Sequence, residues 1–362
     1  MAIQPFMRKT MRKESKVDEE LKKLLEEKKA HIKVVGCGGA GNNTVTRMMQ
    51  IGIEGVYTIA VNTDAQDLLF SDADNKVLIG KELTGGLGAG GDPKIGAEAA
   101  KESKQDIIKM LEGSDMVFVT CGLGGGTGTG SAPIIAETAQ KLGALTIGVV
   151  TLPFAMEGQV RMRNAREGLE NLKRVVDTII VIPNDKLLQI VPDVSLTTAF
   201  KVADEILVNS VKGIAELITK PGLINLDLAD VKAVMRSGGM AMIGMGESDS
   251  EDRSIESVEK ALASPLLDLD IDGASGALIN VTGGPDITIK EAQEVVEAVS
   301  GRLAEDAKII WGAMIDPDLG DSLRVMLIIT GAKPKEEITK LDKYLTKKRS
   351  PIEEELGIQF LD

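Results

Sequence analysis

Apolar runs and helical-period segments alternate along most of this chain. "IKVV", "GVYTIAVN", "KVLIG", "DMVFVT", "ALTIGVVTLP" and "DTIIVIP" are short and rich in Val and Ile, as buried strands are. Helices are expected between them, from about Asn43, near 93–112, near 130–142 and near 157–174. Near-continuous apolar strands alternating with helices predict an α/β fold with a doubly wound, mostly parallel sheet. A long helix is predicted near 195–219, where Phe200, Ala203, Leu207, Val211, Ala215 and Ile218 recur at helical spacing. The break "KPGLINLDLADV" follows it. Beyond, "MAMIGMG", "ALINVTGG", "KIIWGAMID" and "SLRVMLIITG" read as strands of a second, smaller α/β unit, with helices near 254–263 and 288–304. Upstream, Val17, Leu21, Leu24 and Leu25 make a narrow apolar stripe on a charged helix over 17–30. The expected organisation is a helical extension (1–30), a first domain carrying the long helix (31–220), a second domain (221–332), and a linker and tail (333–362).

Composition narrows the chemistry. The 362 residues, 43 % of them hydrophobic, suffice for two packed domains. One Trp, two Tyr and six Phe leave an aliphatic core. A net charge of −13 argues against a surface that tracks nucleic-acid phosphates. Two cysteines, Cys37 and Cys121, make no disulfide framework, and a reducing cytoplasm is expected. No apolar run reaches membrane-spanning length, and the first residues lack the apolar stretch of a secretory signal. The single histidine, His31, excludes a zinc site built from several His. It also stands far from any GxSxG-like elbow, at the mouth of the first apolar run, where it reads as structural. Chemistry is left to carboxylates, backbone amides and a bound metal ion.

Glycine loops supply the amides. Residues 36–41 fit G-x-G-x-x-G, but the next strand ends "AVNTD", a poor match to the ribose-binding acid of a dinucleotide fold. No G-x-x-x-x-G-K-[ST] run occurs. "CGLGGGTGTGSAP" (121–133) therefore reads as a phosphate cradle without lysine. Glycine amides can form an anion nest, Thr127 and Thr129 can add hydroxyls, and the helix that follows points its positive end at the anion. A magnesium ion would supply the remaining positive charge. By spacing alone, Glu157 and Arg161 read as a surface ion pair, Asn184 as a helix cap and Phe200 as core. Asp227 and Asp230, three residues apart near a helix start, can cap that helix or work as an acid pair.

"GGGTGTG" (124–130), "GCGGAGNN" (36–43), "GGLGAGGDP" (85–93) and "NLDLAD" (225–230) together resemble, in order and spacing, the tubulin/FtsZ superfamily over roughly residues 31–331. The compact second domain is more similar to the prokaryotic FtsZ branch than to tubulin. The resemblance implies a GTP-dependent, self-assembling cytoskeletal protein of the division ring. Its ligands would be GTP or GDP with Mg2+, and its partner a second copy, head to tail. On that basis Gly38, Gly39, Ala40, Gly41, Asn42 and Asn43, with Gly125, Gly126, Thr127 and Gly128, wrap the phosphates. Glu157 and Arg161 meet the ribose side, and Asn184 helps hold the nucleotide. Phe200 lies against guanine, and Asp204 accepts its N1–H and N2–H, a donor pair that adenine lacks. Asn225, Asp227 and Asp230 would project into the nucleotide of the next subunit and position the attacking water. The acidic tail "EEELGIQFLD" and the N-terminal helix look like archaeal members. A membrane-tethering adaptor would dock on that tail at the mid-cell division site, with no direct membrane insertion and no nucleic acid. A cell-shape filament of the same superfamily and, remotely, an NAD-dependent oxidoreductase are the alternatives.

Overall fold

In the computed structural model the described residues are 30–334, apart from 191–194, 221, 225, 237, 268 and 272–273. The helix expected over 17–30, the tail and Asn225 lie outside them, but for Ala30. The strands are β1 Ile32–Cys37, β2 Val56–Asn62, β3 Asn75–Leu78, β4 Met116–Gly122, β5 Leu145–Leu152, β6 Thr178–Pro183, β7 Gly239–Ser248, β8 Leu269–Asp270, β9 Gly276–Gly283, β10 Lys308–Ile315, β11 Leu323–Thr330 and β12 Lys333–Pro334. The helices are α1 Gly38–Ile51, α2 Ala65–Phe70, α3 Lys81–Thr84, α4 Pro93–Glu102, α5 Lys104–Leu111, α6 Thr127–Lys141, α7 Gln159–Lys173, α8 Asn184–Ile190, α9 Leu196–Thr219, α10 Leu228–Met235, α11 Arg253–Leu262 and α12 Ile289–Ser300.

Ten strands form one sheet in the order β10-β9-β11-β7-β6-β5-β4-β1-β2-β3. Only β11 runs antiparallel to its neighbours, β7 and β9. The mostly parallel α/β sheet is the one the apolar runs predict. The second set of strands, however, continues the first sheet instead of forming its own. The join is narrow: β6 and β7 share three residue pairs, Thr178 with Gly239, Ile179 with Met240 and Ile180 with Ala241. Among the described residues, two of the aliphatic clusters lie on either side of this join. One packs Val35, Ile59, Val119 and Ile135 around β1 and β4, and the other packs Val258, Ile279, Val295 and Leu327 around β9 and β11. Side chains of this size, fully removed from water, each contribute about 1.5–3 kcal/mol.

α9 has 24 residues, so it runs about 36 Å. Ser195 caps it, its Oγ accepting the Thr198 N–H at 3.2 Å. Ala203, Leu207, Val211 and Ala215 are buried as their spacing requires, but Phe200 is 40 % exposed. The helix expected near 93–112 is two helices, α4 and α5, which break at Ser103. At two of the glycine loops the helices start early. α1 begins at Gly38 and α6 at Thr127, each several residues before the start expected from glycine's poor helix propensity. The glycines are there because neighbouring backbones touch. A Cβ on Gly41 would sit 2.5 Å from Thr120 O, and one on Gly130 would sit 2.0 Å from Pro93 O.

Candidate functional site

α1 and α6 start side by side at the carboxyl ends of β1 and β4. Neither N-terminus has a side-chain cap, since Cys37 and Gly126 supply none. The first-turn N–H groups of both helices are therefore open donors, and the two helix dipoles converge. Gly38, at φ 69°, and Gly128 are in contact; a Cβ on Gly38 would lie 2.8 Å from Gly128 N. The cradle is thus a pair of abutting helix ends, with positive φ at Gly38 and at Gly124 of the loop before α6. Gly125, Gly126 and Gly128 are all without positive φ.

A cavity of about 300 Å³ opens on these ends, lined by Gly38, Gly39, Ala40, Gly125, Gly126, Thr127 and Gly128 on one side. Glu157, Arg161, Asn184, Phe200 and Asp204 line the other. Of the further residues singled out in the sequence, Gly41 and Asn42 are buried in α1 behind the cavity wall and Asn43 is exposed on that helix. Both side-chain polar atoms of Asn42 lack a partner. Thr127 Oγ1 lies 2.6 Å from Thr63 Oγ1, and so it ties α6 to the segment after β2. Thr129 does not reach the cavity: it is buried, and its Oγ1 accepts the Gly124 N–H at 2.9 Å. Thr151 and Pro153 complete the wall. Sequence reading missed them, although their place at the end of β5 was the available signal.

Arg161 is the one cationic side chain in this lining. Its Nη1 lies 2.6 Å from Glu157 Oε2, while Glu157 Oε1 accepts the Phe154 N–H at 2.8 Å. The ion pair read from spacing exists, and it stands on the cavity wall. Asn184 opens α8, is buried, and its Oδ1 has no partner. Phe200 meets the buried Phe154 edge to face, with centroids 5.2 Å apart and planes at 86°, leaving a face of Phe200 open. One turn further along α9, burial raises the Asp204 carboxyl to a pKa of about 6. The cavity thus offers amide donors at one end and, at the other, an aromatic face, an orphaned acceptor and a carboxylate.

Asp227 and Asp230 are elsewhere. They form a reciprocal capping box on α10: Asp227 Oδ1 accepts the Asp230 N–H at 2.8 Å, and Asp230 Oδ2 accepts the Asp227 N–H at 3.4 Å. Both are exposed, and neither lines the cavity. The acid expected of a dinucleotide fold is committed locally too, because Asp64 Oδ1 caps α2 by accepting from Gln66 and Asp67. His31 precedes β1, its N–H donating to Asp115 Oδ2 at 2.9 Å. Cys37 and Cys121 are both buried free thiols.

The cavity has the donor set of a nucleotide site, with open helix-end amides where other folds carry a lysine. Comparison with known proteins gives the family. The GTPase domain of the Tubulin/FtsZ family matches residues 31–192, and the C-terminal domain of the FtsZ family matches residues 239–333. Cell division protein FtsZ 1 of Methanocaldococcus jannaschii is 64 % identical over 322 residues, covering 89 % of this chain and 88 % of that one. Its counterpart in Archaeoglobus fulgidus is 57 % identical over 345 residues, covering 95 % and 92 %. A solved empty FtsZ dimer from M. jannaschii superposes with a TM-score of 0.84 at 65 % identity, covering 88 % of this chain and 92 % of that one. The chain belongs to the FtsZ family and is a cell-division GTPase. Neither the nicotinamide reading nor the cell-shape reading is favoured.

Proposed function

We propose that this GTPase assembles head to tail and hydrolyses GTP only where two subunits meet. The observation that carries the reading is the separation of its parts. The cavity has donors for a triphosphate but no free acid beside them, since Glu157 is engaged by Phe154 and Arg161. The exposed pair Asp227 and Asp230 lies outside the cavity wall. Self-assembly also suits the surface, because Leu69, Phe70, Leu87, Met156 and Val160 are 61–87 % exposed, and Met156 and Val160 flank the cavity residues Glu157 and Arg161 in sequence. A contact that pairs one pole with the opposite pole and does not close builds a filament.

In this mechanism the first turns of α1 and α6 bind the phosphates, Arg161 and Glu157 fix the ribose side, and Phe200 stacks on guanine. Asn184 Oδ1 and the Asp204 carboxylate accept from the base. Asp227 and Asp230 of the next subunit orient the attacking water and take its proton. Among the described residues no three His, Cys, Asp or Glu side chains stand together as a metal cage. With Arg161 the one cation of the lining, a Mg2+ ion bound together with the phosphates beside the first turns of α1 and α6 would supply the further positive charge. Residues 31–220 act as the GTP domain and 221–332 carry the acid pair. The C-terminal tail recruits a membrane-tethering adaptor, so that the filament works in the cytoplasm at mid-cell.

Two measurements follow. Specific GTPase activity should be near zero at low protein concentration and rise steeply above a threshold that coincides with assembly by light scattering. Activity independent of concentration refutes the proposal. Second, Asp204 must be ionised to accept from guanine, and its raised pKa places the loss on the acid side. GTP affinity should hold above pH 7 and fall as pH drops through 6. Asp204→Asn should flatten that profile and weaken binding by about 1–3 kcal/mol at pH 7.5. Identical profiles for the two proteins in a fluorescent-nucleotide titration would remove Asp204 from the site.

A further inference from the structure

The sheet ends on one side in an open edge. β3 pairs with β2 alone, and no described strand covers its other side. The Ile79 N–H donates to Asn62 O at 2.9 Å. A parallel ladder turns alternate residues outward, so Lys76 and Leu78 present their backbone groups to the open side. The Lys76 N–H is met only by its neighbour, Asn75 Oδ1, at 2.8 Å.

A groove of about 390 Å³ runs along this edge, lined by β3 itself with Lys81, Asp106, Lys109 and Met110. Three lysines face one aspartate there, in a protein of net charge −13. Lys76 Nζ donates to Leu69 O at 3.0 Å, whereas Lys81 and Lys109 make no ion pair among the described residues. Lysines on an open edge repel stray neutral strands by the cost of burying them. They admit a strand that brings its own carboxylates.

The chain contains a segment of that kind. "EEELGIQFL" (353–361) puts three glutamates ahead of Leu356, Ile358 and Phe360, whose spacing of two is that of a strand with one apolar face. We infer that residues 353–361 of the same chain add to the open edge of β3 as a further strand. Main-chain bonds to Leu78 hold it, its glutamates meet Lys81 and Lys109, and its apolar face meets Leu78 and Met110. The reach is sufficient. β12 follows β11, and β11 lies seven strand spacings from β3, which at about 4.8 Å each is about 34 Å. The chain between Pro334 and Glu353 spans about 60 Å when extended. A tail seated on β3 is withheld from any adaptor, so the edge would set how readily the tail is offered. The inference is independent of how GTP is hydrolysed.

Amide hydrogen exchange on the full-length protein tests it, with wild type compared against Lys81→Glu/Lys109→Glu and Ile358→Asp. Amides of residues 75–78 and 356–360 should exchange at least tenfold more slowly in the wild type than in either variant, with β1 amides and GTPase activity unchanged. Equal exchange overturns the inference. Tenfold dilution should leave the protection intact; its loss would assign the strand to a second copy and overturn the same-chain docking. Leu78→Pro removes one outward N–H but none of the β2 pairing. It should abolish tail protection at normal thermal stability. Tail protection that survives in Leu78→Pro would mean that charge alone holds the segment, against strand addition.

Discussion

Asp230→Asn is expected to slow GTP hydrolysis by roughly 10²–10⁴-fold, the usual cost of losing a positioned acid or base, while GTP affinity and filament formation persist. Asp227→Asn should behave alike. The choice of asparagine follows from the structure. Both acids cap α10 through their side-chain oxygens, and alanine would mix a capping loss of about 1 kcal/mol into the result. Asparagine caps a helix as well as aspartate does but does not take up a proton. A variant that binds GTP, pellets as filaments and turns over slowly isolates the chemical role. Wild-type turnover in both would leave the pair with capping alone.

The second large effect lies in the cradle. Gly128→Ala puts a Cβ 2.8 Å from Cys37 O and 3.1 Å from Cys121 Cβ, both in the strand ends beneath the cavity. Backbone cannot yield cheaply at a buried strand end, so α6 must move away from α1 and the amide donors lose their common focus. GTP affinity should fall at least a hundredfold, about 2.7 kcal/mol or more. Overpacking should also cost about 1–3 kcal/mol of stability. Gly244→Ala is the control, because its Cβ would meet Ala261 O at 2.3 Å in the second core. It should lower the melting temperature comparably and leave nucleotide affinity alone. A GTP titration in which both variants bind equally well would show that the abutting helix ends are not the phosphate site.

Much of this architecture was legible in the chain, and the reasons are physical. Strands buried on both faces need continuous Val and Ile, and that requirement prints β1, β4, β5 and β6 directly onto the sequence. The continuity of the sheet was not legible, because it depends on a join of three residue pairs between β6 and β7 that leaves no periodic trace. The glycine loops read as a cradle, but the helices that follow them begin earlier than expected. Glycine's low helix propensity argues for loops, whereas close approach of backbones, visible only in three dimensions, uses glycine within the first turns of α1 and α6. Phe200 sits at core spacing, yet it is half open, since its face belongs to the cavity. The Thr63–Thr127 and Asn62–Asp67 contacts join residues through their side-chain ends, and no pattern of hydrophobic and polar positions encodes such links. For Asp227 and Asp230, spacing allowed both a cap and an acid pair. The structure has the cap, and the acid pair is left to experiment.

One mixing experiment bears most directly on the split active centre. At a GTP concentration that fills the wild-type pocket but not the weakened pocket of Asp204→Ala, Asp204→Ala supplies the acid pair alone and Asp230→Asn supplies the pocket alone. Each alone should hydrolyse GTP slowly. Mixed in equal amounts above the assembly threshold, they should recover a substantial fraction of wild-type turnover, since some contacts then join an intact pocket to an intact acid pair. A mixture no faster than the average of its two components would contradict the account.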